Sequence, residues 1–255
     1  MPKLTSDAQP ALKESLPDTL ERVRSLLATE SFDPATSARR FRVVMHDHLA
    51  DLLVPDVVRR MHREAPRVRL VVLAWQSPFS MKPEQMRAVD FCISCSPDDL
   101  PGFDRSPLFT DTESIVVRRG HPAASRLKTL RGFLDASHVA VVGRGKADDP
   151  VDSWLREEGV ERRIALVVPS YLQALHAAAT TDLVASVPTR VAQTLGPRLS
   201  LAVLRPPIDP GVYRECLFFP QRRQRDAASL WLRDIVMELG KRIEVRGLSA
   251  SRRAS

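Results

Sequence analysis

The pattern of apolar and polar positions changes period repeatedly along this chain, most sharply between Phe41 and Leu73. Phe41-Arg42-Val43-Val44-Met45 is a short β-branched and apolar run, followed by the polar break His46-Asp47-His48. From Leu49 to Arg63, apolar residues fall at 49, 52, 53, 57, 58 and 61, the stripe of one helix face. Ala65-Pro66 ends that helix, because the residue before a proline is driven out of helical backbone, and Val68 to Leu73 is a second buried-type strand. A strand–helix–strand unit requires a parallel pair, and small ligands dock at the loops after the C-terminal ends of parallel strands. The polar break at 46–48 is therefore a candidate binding loop.

The alternation continues to the end of the chain. Strands are predicted at 89–94, 114–118, 139–142, 164–168, 183–187, 199–204 and 215–219, and helices at 129–134, 151–158, 171–180, 191–195 and 227–245. Gly159 stands where a helix stop is needed and Ser170 where an N-cap is needed. Short strands alternating with helices indicate an open α/β fold, and the last strand–helix pair can rejoin the first half, giving two lobes with two crossings. Ahead of this body, Leu12, Leu16, Leu20, Val23 and Leu27 share one face of a helix over 4–28, which Pro10 and Pro17 kink or delay. That stripe has no partner within its own forty residues, so a second copy of the chain is expected to cover it. The organisation expected is a linker and dimerisation helix with its connector over 1–40, a first lobe of 41–115 plus 215–245, a second of 116–214, and a disordered basic tail over 246–255.

Composition narrows the class. With 255 residues, 44% hydrophobic, and a mean hydropathy of −0.17, the chain can bury a core, and no run of about 20 apolar residues suggests a membrane span. No basic start followed by an apolar stretch marks an export signal, and three cysteines do not make a disulfide scaffold, so a cytoplasmic location is expected. The net charge of +7 invites a nucleic-acid reading, but residues 1–40 are neutral and 241–255 carry +4, leaving +3 for the 200 residues between. A phosphate-tracking surface needs its charges clustered on a folded face, so direct DNA binding by this chain is not expected.

Several motifs carry chemistry and each has a plainer reading. His46-Asp47-His48 could begin a metal site, but no third ligand stands nearby in sequence, and helix capping by Asp47 or a neighbour with ligand contact is the expectation. Cys92-Ile93-Ser94-Cys95 matches a redox spacing, yet Cys92 falls inside a strand rather than at a helix N-terminus, which reads as buried small residues. Gly143-Arg144-Gly145-Lys146 lacks the spacing of a phosphate loop, although Arg144 and Lys146 could draw an anion into a cleft. Trp75-Gln76 offers a ring face with an adjacent amide. Ser170 is not in a nucleophile elbow, His121 before Pro122 reads as a turn residue, and no enzymatic set emerges.

The order and spacing of Phe41-Arg42-Val43, Val54-Pro55, Val89-Asp90-Phe91-Cys92-Ile93, Val116 to Pro122, Leu166 to Tyr171 and Phe218-Phe219-Pro220 resemble one family. It is the effector-binding region of the LysR-type transcriptional regulators, and the likeness runs from about Leu4 to Arg242. Ser94 stands where the family usually has glycine, and no glycine precedes the third strand around Met86-Arg87-Ala88. The resemblance implies two Rossmann-like subdomains of the type 2 periplasmic-binding-protein kind behind a linker helix, with an effector cleft between them and no cofactor. It further implies a homodimer or tetramer, and DNA contact only through a helix-turn-helix that these residues do not include.

The function expected is therefore sensing of a small organic molecule, an aromatic or other carboxylate, with no enzymatic activity and no membrane partner. Cleft candidates are Asp47, His48, Trp75, Gln76, Gly143, Arg144, Ser170 and Phe219. Two alternatives share the pattern. A solute-binding protein of a transport system would require an export signal, and a regulator that silences relatives by mixed dimerisation would depend on the 4–28 stripe.

Overall fold

The computed structural model describes residues 32–76, 81–95, 99–142 and 149–251, with side chains as far as Val245; the stripe at 12–27 and the pair Gly143 and Arg144 lie outside the described residues. Strand β1 (Arg40–Met45) is followed by helix α1 (Asp47–Glu64), β2 (Arg69–Ala74), the short α2 (Pro83–Ala88) and β3 (Phe91–Ser94). β4 (Phe103–Asp111) and β5 (Glu113–Arg118) follow with one residue between them, then α3 (Leu130–Leu134), β6 (Ser137–Val141) and α4 (Pro150–Glu157). The chain continues through β7 (Arg163–Val168), α5 (Tyr171–Thr180), β8 (Val184–Pro188), α6 (Thr189–Leu195) and β9 (Leu201–Leu204), and closes with β10 (Tyr213–Pro220) and α7 (Ala227–Ser251).

These strands form two five-stranded sheets, ordered β2-β1-β3-β10-β4 and β7-β6-β8-β5-β9. In the first, β1 runs parallel to β2 and β3, and β10 returns antiparallel between β3 and β4. In the second, β6 runs parallel to β7 and β8, and β5 lies antiparallel between β8 and β9. Each sheet is covered on both faces, as parallel strands demand. Phe41, Val43, Leu217 and Phe91 meet Leu49, Leu53 and Met61 of α1 and Leu232, Ile235 and Leu239 of α7 on one face of the first sheet. Val44, Cys92, Cys216 and Phe218 pack against Trp75 and Leu100 on the other. The second sheet repeats the arrangement, with α5 and α6 on one side and Leu127, Phe133 and Leu155 on the other.

Two features hold α7 to the first lobe. Asp226 accepts a hydrogen bond from Ala228 N at the start of the helix and forms an ion pair with Arg39, just before β1. Near the other end, Gly240 lets the helix lie close on β4: a Cβ there would stand 3.0 Å from Leu108 Cδ2.

β4 was not anticipated from the pattern. Phe103-Asp104-Arg105-Ser106-Pro107 is polar and contains a proline, but β4 is an edge strand, where a missing N–H and polar side chains are tolerated. The terminus of β3 is also shorter than expected, beginning at Phe91 because Asp90 turns its carboxylate to accept from Arg42 N. His121 does act as a turn residue: its Nδ1 accepts from Ala123 N at 3.1 Å and its Nε2 meets Asp182 O at 3.0 Å.

The core assignment is testable by urea denaturation. Leu232→Ala removes a fully buried side chain and is expected to cost about 2–5 kcal/mol, whereas Val212→Ala, at a residue 75% exposed, is expected to stay within about 0.5 kcal/mol of the parent.

Candidate functional site

The chain passes between the sheets at Thr112 and again near Gly211, and these crossings are tied together by Thr112 Oγ1 donating to Gly211 O at 2.7 Å. The C-terminal ends of the parallel strands of both sheets turn toward the same seam. Asp47, the first residue of α1, reaches across it. Its carboxylate accepts from Ser170 Oγ at 2.6 Å, Leu172 N at 2.9 Å and Tyr171 N at 3.2 Å, at the N-terminus of α5. The free N–H groups and positive dipole end of a helix suit a carboxylate, so the first lobe supplies an anion that the second lobe is built to hold.

This corrects the capping expectation in part. Ser170 is the N-cap of α5, its Oγ accepting from Gln173 N at 3.1 Å, as its position implied. Asp47, however, does not cap its own helix: the N-cap is His46, whose side chain makes no capping bond, because the Asp47 carboxylate is engaged by the other lobe.

Around this contact sits a group of rings. His46 stacks on Trp75 at 4.5 Å between centroids, His48 meets Tyr171 edge-on at 4.6 Å, and His46 meets Tyr171 at 5.8 Å. Trp75 and His48 are both buried, and neither Trp75 Nε1 nor His48 Nδ1 has a hydrogen-bond partner among the described residues. Gln76 follows Trp75, half-buried at the end of β2.

Beneath the rings lie carboxyls. Glu215 on β10 is 2% exposed, its Oε1 facing His48 Nε2 at 3.8 Å, while its Oε2 is buried with no partner among the described residues. Glu113 accepts from Tyr213 OH at 3.4 Å through Oε1, and its Oε2 is likewise buried without a described partner. Burial, then repulsion from Asp149 and Asp111, pushes the Glu113 carboxyl up to about 8 from 4.5. Burial raises Asp111 to about 6 against the pull of its hydrogen bonds and of Arg190. Tyr171 and Tyr213 are raised well above the usual phenol range by burial and then by these carboxyls, so they remain protonated donors.

The described arginines at the seam form ion pairs. Arg162 is buried against Asp152 at 2.6 Å and Asp149 at 3.1 Å, although its Nη2 makes no hydrogen bond among the described residues. Arg190, on α6, donates to Thr110 O at 2.7 Å, Ile243 O at 2.6 Å and Glu244 at 2.9 Å, binding the second lobe to β4 and α7 of the first. Asp111 completes that junction by accepting from Arg190 N at 3.2 Å. On the far side of Glu113, a narrow apolar crevice, partly open to solvent and with room for about one water, enters the second lobe between Phe133, Trp154, Pro206 and Ile208.

The structure thus gathers Asp47, His48, Trp75 and Ser170 at one place. Phe219 does not join them; its ring packs with the α7 side of the first sheet, 5.2 Å beneath the Arg233 guanidinium. Glu113, Glu215, Tyr171 and Tyr213 were not singled out from the sequence, because isolated acidic and tyrosine residues give no local signal. The Cys92 thiol is buried in β3 and pushed up to about 12 by burial and then Glu215, which leaves it unreactive. Among the described residues, no three His, Cys, Asp or Glu side chains converge as a metal site would require, and no helix is long and apolar enough to cross a membrane.

Two α/β lobes meeting across a seam of rings and buried carboxyls define a two-lobed small-molecule-binding domain. A model of the LysR substrate binding domain matches residues 34–241. Nodulation protein D 1 of Bradyrhizobium diazoefficiens is 30% identical over 218 residues, covering 84% of this chain and 68% of that protein. The crystal structure of a probable transcriptional regulator from Pseudomonas aeruginosa superposes with a TM-score of 0.78 at 26% identity, over 92% of this chain and 78% of that one. The regulatory domain of Synechocystis CcmR, solved in complex with 2-PG, has the same fold, with a TM-score of 0.67 at 16% identity over 79% of this chain and 97% of that one. The chain belongs to the LysR-type regulators and carries their effector-binding region. This favours the sensor over the solute-binding alternative, and such a regulatory region is not normally an enzyme.

The raised carboxyl at Glu113 has a measurable sign. The folded protein holds that proton more tightly than the unfolded chain, so the stabilisation is complete below about 4.5 and is lost as pH rises toward about 8. The urea midpoint is expected to fall between pH 5.5 and pH 8, and Glu113→Gln to flatten that decline.

Proposed function

We propose that the seam is the effector site, and that occupancy resets the angle between the lobes. A small planar molecule enters beside Trp75 when the Asp47 contact to α5 opens, and it is held between the rings of His46, Trp75 and Tyr171. What carries this reading is the coincidence of Asp47 with Trp75 Nε1 and His48 Nδ1: one carboxylate making three hydrogen bonds across the seam, beside buried donor and acceptor atoms without described partners. That the Synechocystis CcmR domain is solved with a bound small molecule supports it further. Because Trp75 and His48 are buried in the closed arrangement, the lobes must part for entry, and a ligand then selects among lobe angles.

The remainder of the reading concerns the whole regulator. The face of Leu12, Leu16, Leu20, Val23 and Leu27 pairs two copies, as a homodimer or as half of a tetramer, in the cytoplasm. A helix-turn-helix module then receives the change in lobe angle and repositions on DNA. An anionic effector such as an aromatic carboxylate would rely on Arg144 and Lys146, which lie outside the described residues. Among the described groups of the seam, carboxyls dominate.

Isothermal titration with small aromatic compounds, covering acids, alcohols and amines, tests the site. Saturable one-to-one binding is expected, weakened about tenfold by Trp75→Leu and accompanied by a change in the scattering radius. A folded chain that binds none of the panel sinks the reading. Separately, sedimentation of Leu16→Asp/Leu20→Asp is expected to show monomers where the parent chain shows dimers.

A further inference from the structure

Positive charge is thin when summed along the middle of this chain, but folding gathers part of it at one edge of the first lobe. Where β1 and β2 begin, Arg40 stands beside Arg69 in the parallel register. Both are exposed, and alternation sends both side chains to the face opposite Phe41 and Leu70, which pack with α1 and α7. Adjacent strands lie about 4.8 Å apart, so these two side chains leave the sheet as close neighbours. Helix α2 lies over the same face through Met86, and its last turn carries the exposed Arg87. Arg222, beyond the end of β10, donates to Arg87 O at 2.8 Å and so joins the group. Arg67 just ahead of β2 and Arg225 beside Asp226 are exposed at the same edge.

The acids of this edge are occupied by other arginines. Asp90 is buried, accepts from Arg42 N at 2.7 Å and pairs with Arg223. Asp226 accepts from Arg39 at 2.7 Å, and Glu64, ending α1, pairs with Arg60 at 2.8 Å. Asp33 is bonded to Ala35 N in the connector, and Asp104, three strands from β1, accepts from Gln221 at 3.0 Å. Among the described residues, no carboxylate pairs with Arg40, Arg67, Arg69 or Arg87.

Guanidiniums gathered on a folded face repel one another, and a polyanion relieves that repulsion while shedding its own counterions. The planar guanidinium fork matches phosphate oxygens two at a time. This edge is also where the connector meets the lobe, with Phe32 against Trp231 at 5.4 Å between centroids and Arg39 anchored to Asp226. The segment ahead of that connector is the one that leads to the DNA-reading module in the regulator proposed above. A phosphate backbone is thereby the polyanion nearest to hand.

We propose that this edge of the first lobe is a sequence-independent docking face for the backbone of duplex DNA, contacted by Arg40, Arg69 and Arg87. Such contacts fix where the lobe rests on the duplex and read no bases. The face is separate from the seam, and it stands or falls independently of the effector site.

The test is fluorescence anisotropy of a labelled random-sequence duplex of about 30 base pairs, titrated with the full chain from about 20 to about 200 mM NaCl. Micromolar binding is expected at the low end, weakening with salt by a log–log slope of about −3, or roughly 0.9 for each of three phosphates. Arg40→Glu/Arg69→Glu/Arg87→Glu is expected to weaken binding at least about tenfold and to flatten that slope. Arg40→Gln/Arg69→Gln/Arg87→Gln, read in parallel with circular dichroism, covers the case in which charge reversal prevents folding. Arg246→Gln/Arg252→Gln/Arg253→Gln, in the basic tail, is expected to change affinity by less than about threefold. No binding at the lowest salt, parent-like binding by the folded arginine variants, or a loss that follows the tail substitutions instead would each overturn the proposal. So would polyglutamate competing as well as unlabelled duplex, which would mark the edge as a face for acidic protein.

Discussion

The architecture at the seam turns on one carboxylate placed at the end of a helix that belongs to the other lobe. Asp47 sits where β1 gives way to α1, and the N–H groups of Tyr171 and Leu172 have no partner within their own helix. Hydrogen bonds to a charged group contribute more than neutral ones, about 1.5–3 kcal/mol, and three of them converge here on a single side chain. Such a contact is strong enough to define a preferred lobe arrangement and local enough to be broken by a guest. The ring cluster of His46, His48, Trp75 and Tyr171 lies where that contact would open.

A second carboxylate works in the same manner at the opposite side of the seam. Asp111, ending β4 in the first lobe, accepts from Arg190 N at the start of α6 in the second. There the geometry is reinforced, because the Arg190 guanidinium also holds the carbonyls of Thr110 and Ile243 and the carboxylate of Glu244. One junction is thus a dense network beside both chain crossings, and the other rests on Asp47 alone. Opening is expected at the weaker of the two.

Much of this fold could be read from periodicity, and the reasons are physical. α1, α5 and α7 each bury a face against a sheet, so their apolar spacing is strict, and Ser170, Gly159 and Thr129 mark helix ends through side chain or backbone demands that are local in sequence. β4 escaped because an edge strand tolerates Pro107 and a polar start, which erase the alternation. The site was half legible. Asp47, His48, Trp75 and Ser170 lie within two residues of the C-terminal ends of parallel strands or at the start of the helices that follow, where position alone nominates them. Glu113 and Glu215 are 102 positions apart, one on each sheet, and each comes to the seam through its strand's place in the fold, so no local pattern carries them. The role of Asp47 was misassigned for the same reason, since its partners are 123–125 residues away.

Thr112 alone separates β4 from β5, and its hydroxyl is fastened to the backbone of the return crossing at Gly211. A joint this short has almost no slack for sliding, so the permitted movement is rotation about a nearly fixed pivot. Small displacements near that pivot become large ones at the rim, and the lever arm from Thr112 to the tips of the lobes sets the gain.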